Sequence, residues 1–313
     1  MNSEKSSKII SALIENIEKT VRGKREAIIL SLTGLLAKSH VLIEDIPGIG
    51  KTTLAMALAR SINADFRRIQ MTADMLPADI IGGLVFNPKT QEFEVRFGPI
   101  CANIVLCDEI NRSTPRTQSA LLECMAESRV TIDRQTLELG EPFMVIATQN
   151  PMEYEGCYML GESQKDRFIV SFKMGYPDYE NEKNIIKTHN DVKINDSEIK
   201  AVAGIEDILF LQAETASIKA SDSVLDYIMN IVKQTRKDSR VAIGASTRGA
   251  IMLKIAGAAF ALISGRDHII YDDIKYMAPF VLAHRIEPAS EYAMDRDMAV
   301  NIIKDCLDNV AVE

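Results

Sequence analysis

His40-Val41-Leu42-Ile43-Glu44-Asp45-Ile46-Pro47-Gly48-Ile49-Gly50-Lys51-Thr52-Thr53 is the stretch on which the reading of this chain turns. It opens as a short apolar run suited to a buried strand, passes through a Pro/Gly turn, and starts a helix at Lys51. Gly48 and Gly50 carry no Cβ, so the backbone there can curl and aim successive N–H groups inward at an anion. The free amides and partial positive charge of the helix start favour phosphate at that point. Lys51 can reach the β- and γ-phosphates of a nucleotide, and the Thr52 hydroxyl suits Mg2+. Pro47, Gly48, Ile49, Gly50, Lys51, Thr52 and Thr53 therefore read as a phosphate-cradling loop. One position departs from the pattern G-x-x-x-x-G-K-[ST], which asks for glycine where Asp45 stands. Asp tolerates left-handed backbone angles, so the turn survives sterically, provided the carboxylate points away from the phosphates.

Length and composition bound what the loop can belong to. A chain of 313 residues suits one large domain and a smaller one, or two of ordinary size. With 47% hydrophobic and 26% charged residues it has the composition of an ordinary globular protein. No apolar run is long enough to span a bilayer and no secretory leader is evident, so membrane insertion is not expected. The five cysteines are scattered, with no C-x-x-C pair. That pattern suits a reducing compartment and a cytoplasmic location, and argues against zinc ribbons and disulfide frameworks. A net charge of −8 without a long Lys/Arg block argues against avid nucleic-acid binding.

Outward from the loop, residues 5–39 read as two helices interrupted at Val21-Arg22-Gly23. Val21 and Gly23 are candidate walls for an adenine ring; an ordinary helix–loop–helix fits the same residues equally well. Phe66–Gln70 is a short strand, and residues 84–97 read as a hairpin or a long loop, turning at Asn87-Pro88-Lys89-Thr90. Asn103-Ile104-Val105-Leu106-Cys107-Asp108-Glu109 is the second anchor. Its apolar run suits a parallel strand covered on both faces, and two acids emerge at the end where open α/β sheets bind ligands. Asp108 suits Mg2+, and Glu109 suits polarisation of the water that attacks a γ-phosphate. They follow the loop by roughly sixty residues, a spacing that lifts them above chance acids at a strand end.

Thr114-Pro115 starts a further helix as N-cap and first turn. Val130–Leu139 reads as a second hairpin. Phe143–Thr148 is another buried strand, ending in Gln149-Asn150-Pro151. Asn150 would lie beside Glu109 and orient water, although Asn-Pro is also a routine turn initiator. Arg167, just before the strand Phe168–Phe172, is a candidate for reaching a nucleotide in a neighbouring subunit; a surface Arg paired with Asp166 is the rival reading. From about Asp178 strand-like runs stop and helices are expected over 179–189, 204–218, 222–236, 247–264, 272–285 and 290–308. Ser221, Ser246, Asp272 and Ser290 are their expected caps. Arg248 falls in the first turn of a helix, where the dipole does not favour a cation. It either faces an anion or is a solvated surface side chain.

Together these segments resemble the AAA+ ATPases, and the MoxR family among them. The carrying stretches are Leu42–Thr52, Gly98-Pro99-Ile100, Leu106–Arg112, Thr117–Glu123, Ile146–Pro151, Asp166-Arg167-Phe168 and Gly244–Arg248, in the family's order. The resemblance implies a five-stranded parallel sheet of order 5-1-4-3-2 with helices on both faces over residues 1–177. It also implies an all-helical lid over 178–313, and a ring, usually hexameric, with ATP and Mg2+ between subunits. By position Asn150 matches the sensor 1 residue, Arg167 the arginine finger given in trans, and Arg248 the sensor 2 residue through which lid rotation follows γ-phosphate loss. The two hairpins match inserts of this branch. Met159, Gly161 and Thr247 replace typical prolines, and Arg134 replaces a frequent glycine. The implied activity is ATP hydrolysis driving chaperone-like remodelling of a partner, with a von Willebrand factor A domain protein as the family's usual associate. The competing readings are a nucleotide-gated scaffold with little hydrolysis and a chelatase- or helicase-like motor subunit.

Overall fold

Five runs of the chain assemble into one parallel sheet: His40–Glu44, Phe66–Gln70, Ile104–Asp108, Met144–Gln149 and Phe168–Phe172. The computed structural model describes residues 2–133, 135–150, 157–188, 199–292 and 297–311. Arg134 and Pro151, both named above, lie outside the described residues, as do parts of the helices expected over 179–189 and 290–308. Counted in chain order, the sheet strands lie side by side as 2-3-4-1-5, which is the expected 5-1-4-3-2 seen from the other edge. The central Met144–Gln149 strand is buried at every residue, as continuous apolar runs in a doubly covered sheet should be. Phe66–Gln70 is an edge strand whose Arg67, Arg68 and Gln70 face outward.

Alternation along the strands sorts side chains onto two faces. Val41, Ile43, Ile104, Leu106 and Ile146 pack with the helices Asn2–Glu18, Arg25–Leu36 and Lys51–Ser61 and with the C-terminal helices. Leu42, Val105, Cys107, Val145 and Ala147 pack on the opposite face with Leu121, Leu122 and Met125 of the helix Pro115–Glu127. Thr114 caps that helix, accepting from Thr117 N–H, with Pro115 in its first turn. Gly82–Asn87 pairs with Glu92–Phe97, and Arg129–Ile132 with Gln135–Glu138, so both expected hairpins form. On the first, Phe86 and Phe93 stay exposed and meet edge to face at 5.4 Å.

Beyond Phe172 the chain is mainly helical: Tyr179–Thr188, Ile205–Ser217, Asp222–Thr235, Thr247–Ile263, Tyr271–Leu282 and Met298–Asn309. It is not all helical, as expected, because Val241–Ile243 pairs antiparallel with Glu287–Pro288. The β-branched ends of that Val-Ala-Ile run suit a pleated ribbon. Ser221 and Ser246 cap as expected. Asp272 does not: the helix starts one residue earlier, at Tyr271, so Asp273 is the acid that reaches back to accept from Ile270 N–H at 2.9 Å. The stretch expected as 272–285 ends its α-helix at Leu282 and tightens to a 3-10 turn over Ala283–Arg285, while Ser290–Tyr292 is likewise a 3-10 turn. Among the described residues no helix is long and apolar enough to cross a membrane.

Candidate active site

The loop after the His40–Glu44 strand has its two left-handed residues at Gly48 (φ +87°) and Gly50 (φ +92°). A Cβ built at either would meet no atom within 4 Å, so none of the protein's own packing fills the space beside the loop there. Asp45 is not among the left-handed residues. The first glycine of the motif is thus dispensable here for a reason other than the expected one: no unusual backbone angle is asked of that position. Its carboxylate is turned aside and fully used. Oδ1 accepts from Ile46 N–H at 2.8 Å, and Oδ2 accepts from Gly175 N–H at 2.6 Å. Lys51 starts the helix, is buried, and donates to the Asp45 carbonyl at 2.7 Å. Burial pulls its ammonium below the usual lysine range, opposed by Asp108, Asp45 and Glu109. The three acids favour its charged form against the cost of burial.

The acids stand two strand places away, about 10 Å across the sheet at the usual strand spacing. Thr148, fully buried on the intervening strand, donates to Asp108 Oδ1 at 2.5 Å and accepts from Glu109 N–H at 2.9 Å. Glu109 has left-handed backbone (φ +56°, ψ +52°), which a non-glycine residue adopts only at a cost of about 1–2 kcal/mol. The edge strand closes the other side. Arg68 donates to Asp108 Oδ2 at 2.7 Å, Gln70 donates to Glu109 Oε2 at 2.9 Å, and Arg112 reaches the same oxygen at 3.1 Å. Asn150 lies buried just past the end of the central strand, whose Gln149 carbonyl accepts from Asp45 N–H at 3.0 Å. The sheet therefore gathers the loop, both acids and Asn150 at one end. The hard oxygens of Thr52 and Asp108 are the donor types Mg2+ takes, and the open glycine turn with its buried lysine fits a polyphosphate.

Arg167 and Arg248 stand at the other end. Phe168 pairs with His40, so Arg167 precedes the start of the edge strand while Lys51 follows the finish of its neighbour. Five residues at about 3.3 Å each separate the two ends by about 15 Å. Arg167 makes no ion pair with Asp166. That acid is taken instead by Arg248 at 3.1 Å and by Arg285 at 2.7 Å. Arg285 is almost wholly buried and also donates to the Phe168 carbonyl at 2.6 Å; burial pulls its guanidinium down to about 10, opposed by Asp166. Arg248 does face an anion, as its helical position suggested, and the anion is Asp166 of its own chain.

Val21 is buried in the core, and the space over Gly23 is filled by Asn181, whose Nδ2 would lie 2.5 Å from an added Cβ. Beside them Lys24 donates to the carbonyls of Met174, Gly175 and Tyr176. Sequence reasoning did not pick out Thr148, Arg68, Gln70, Asp166 as a shared acceptor, or Arg285. The polar residues punctuating the Phe66–Gln70 run were the one available signal.

The sequence profile of the ATPase family associated with various cellular activities (AAA) matches residues 40–170, and that of the AAA lid domain matches residues 233–306. The chain is 47% identical to the Bacillus subtilis protein YeaC, over 97% of this chain and 95% of that one. It is 36% identical to Chaperone MoxR1 of Mycobacterium tuberculosis, over 96% of this chain and 81% of that one. A crystal structure from Cytophaga hutchinsonii, described as that of a candidate ATPase, superposes with a TM-score of 0.92 at 36% identity, covering 100% of this chain and 97% of that one. With the loop, the acid pair and the helical lid all in place, this chain belongs to the AAA+ ATPases and, within them, to the MoxR family.

Proposed function

We propose that the chain hydrolyses ATP with Mg2+ in a head-to-tail ring and uses the cycle to remodel a partner protein. The observation that carries this is the split of the machinery between the two ends of one sheet. Lys51, Thr52, Asp108, Glu109 and Asn150 gather at the C-terminal end, and Arg167 and Arg248 stand about 15 Å away at the other. An arginine so placed cannot serve its own nucleotide, but a heterologous contact can bring it to the next subunit's, and such contacts close into rings. Six subunits are the number we propose.

Within one site, the amides of residues 48–53 and the Lys51 ammonium hold the phosphates. Thr52 and Asp108 hold the Mg2+ ion, which neutralises charge on the phosphates when bound. Glu109 polarises water, while Gln70 and Arg112 both hold its Oε2. Asn150 orients that water. Arg248, paired with Asp166, the residue before Arg167, reaches the same neighbouring nucleotide and so reports its state to its own lid. The division at 177/178 fits this reading, because the left-handed Gly175, bonded to Asp45, lies just before it. The name of the mycobacterial relative, a chaperone, supports action on a protein client, and a von Willebrand factor A domain protein is the associate we propose. The test is Glu109→Gln. It keeps ATP binding while phosphate release falls to background; unchanged release would refute the role of Glu109.

A further inference from the structure

We propose that Thr148 is the positioning residue for the acid pair, setting Asp108 for the cation and Glu109 for water through one hydroxyl. The proposal rests on the ATP·Mg2+ reading above. Ladder pairing between the acid strand and the central strand ends at Cys107 and Ala147. The next two residues of the acid strand, which carry the chemistry, therefore have no backbone partner on that side. Thr148 takes over. Its single proton goes to Asp108 Oδ1 (2.5 Å) and a lone pair takes Glu109 N–H (2.9 Å), which leaves the hydroxyl no other rotor position.

Two consequences follow from that arrangement. Thr148 leaves Oδ2 of Asp108 clear for a cation, the oxygen that Arg68 now holds. Glu109 is kept in left-handed backbone, which sends its side chain away from the strand direction and toward Gln70 and Arg112. The contacts from the edge strand come from half-exposed side chains that can leave, whereas Thr148 is fully buried and cannot. Asn150 follows two residues on, just past the end of the same strand, so a shift at the sensor tip is passed to both acids by a single bond pair.

The experiment compares full-length Thr148→Val, Thr148→Ser and wild type. A fluorescent ATP analogue is titrated in EDTA and then across Mg2+ concentrations, and steady-state phosphate release is measured alongside. In Thr148→Val the metal-free affinity stays within about twofold while half-saturating Mg2+ rises about tenfold or more, the scale on which partners of metal ligands act. Its kcat falls with little change in KM, and Thr148→Ser restores both properties. Thr148→Cys, close in size, replaces the valine variant if that one does not fold. Wild-type Mg2+ dependence in the valine variant, or a serine variant as impaired as the valine one, overturns the proposal. Absence of turnover in the wild type would count against the hydrolysis reading instead, and the Mg2+ titration would still decide the role of Thr148.

Discussion

Two inactive variants should restore each other. Arg167→Ala leaves the loop and both acids intact but offers the neighbour no guanidinium. Glu109→Gln leaves Arg167 intact but cannot polarise water. Because the two ends of the sheet lie about 15 Å apart, more than an arginine side chain can cover, each subunit's Arg167 is out of reach of its own Lys51 loop. Arginine fingers contribute roughly 10³–10⁵ in rate in GTPases, so each variant alone should sit near background. Mixed at equal amounts and allowed to reassemble, about one quarter of the interfaces join an intact Glu109 to an intact Arg167 in a heterologous contact. The expected rate is then about one quarter of wild type per subunit, peaking at equal mixing and falling to background at both extremes. Phosphate release measured across the mixing series reads this directly. A mixture that never exceeds the summed rates of its components would refute catalysis in trans.

Two further expectations concern stability. His40 is fully buried, its Nε2 facing the Met125 carbonyl at 2.9 Å and its Nδ1 accepting from Val145 N–H at 3.0 Å. Burial pulls its imidazole down to about 4. The unfolded chain, with a His pKa of about 6.5, binds the proton first, so stability is fully present above that pH and is lost as pH falls toward 4. The contribution is about 3 kcal/mol, read as the difference between wild type and His40→Gln in urea unfolding at pH 7 and pH 4.5; parallel pH dependences would count against it. Asp45→Gly restores the usual motif yet should weaken the protein by about 1–3 kcal/mol for each amide left unpaired, with no gain in ATP affinity. A tighter-binding variant of undiminished stability would mean that the carboxylate faces the phosphates after all.

Local pattern made the sheet and the lid's helices legible, because continuous apolar runs and 3.6-residue periodicity report burial directly. The loop and the acid pair were legible because their chemistry is contiguous in the chain. Thr148 was not, since a buried threonine in an apolar run reads as core, and only the register of neighbouring strands sets its hydroxyl between Asp108 and Glu109. Arg285 was hidden for the converse reason: its partner Asp166 is far away in sequence, and a lone arginine at a helix end reads as surface. Asp272 misled because a capping acid is fixed by where the helix starts, and a one-residue error passes the role to Asp273.

Asp166 holds two guanidiniums of very different standing. Arg285 is only 2% exposed, and separating such an enclosed pair costs about 3–5 kcal/mol. Arg248 is 46% exposed, and a pair of that kind contributes about 0–1 kcal/mol. One tie is a rivet and the other a catch. If Arg248 serves another subunit's phosphates as proposed, the lid hands it over without loosening its seat on the sheet, because Asp166 never loses its inner companion.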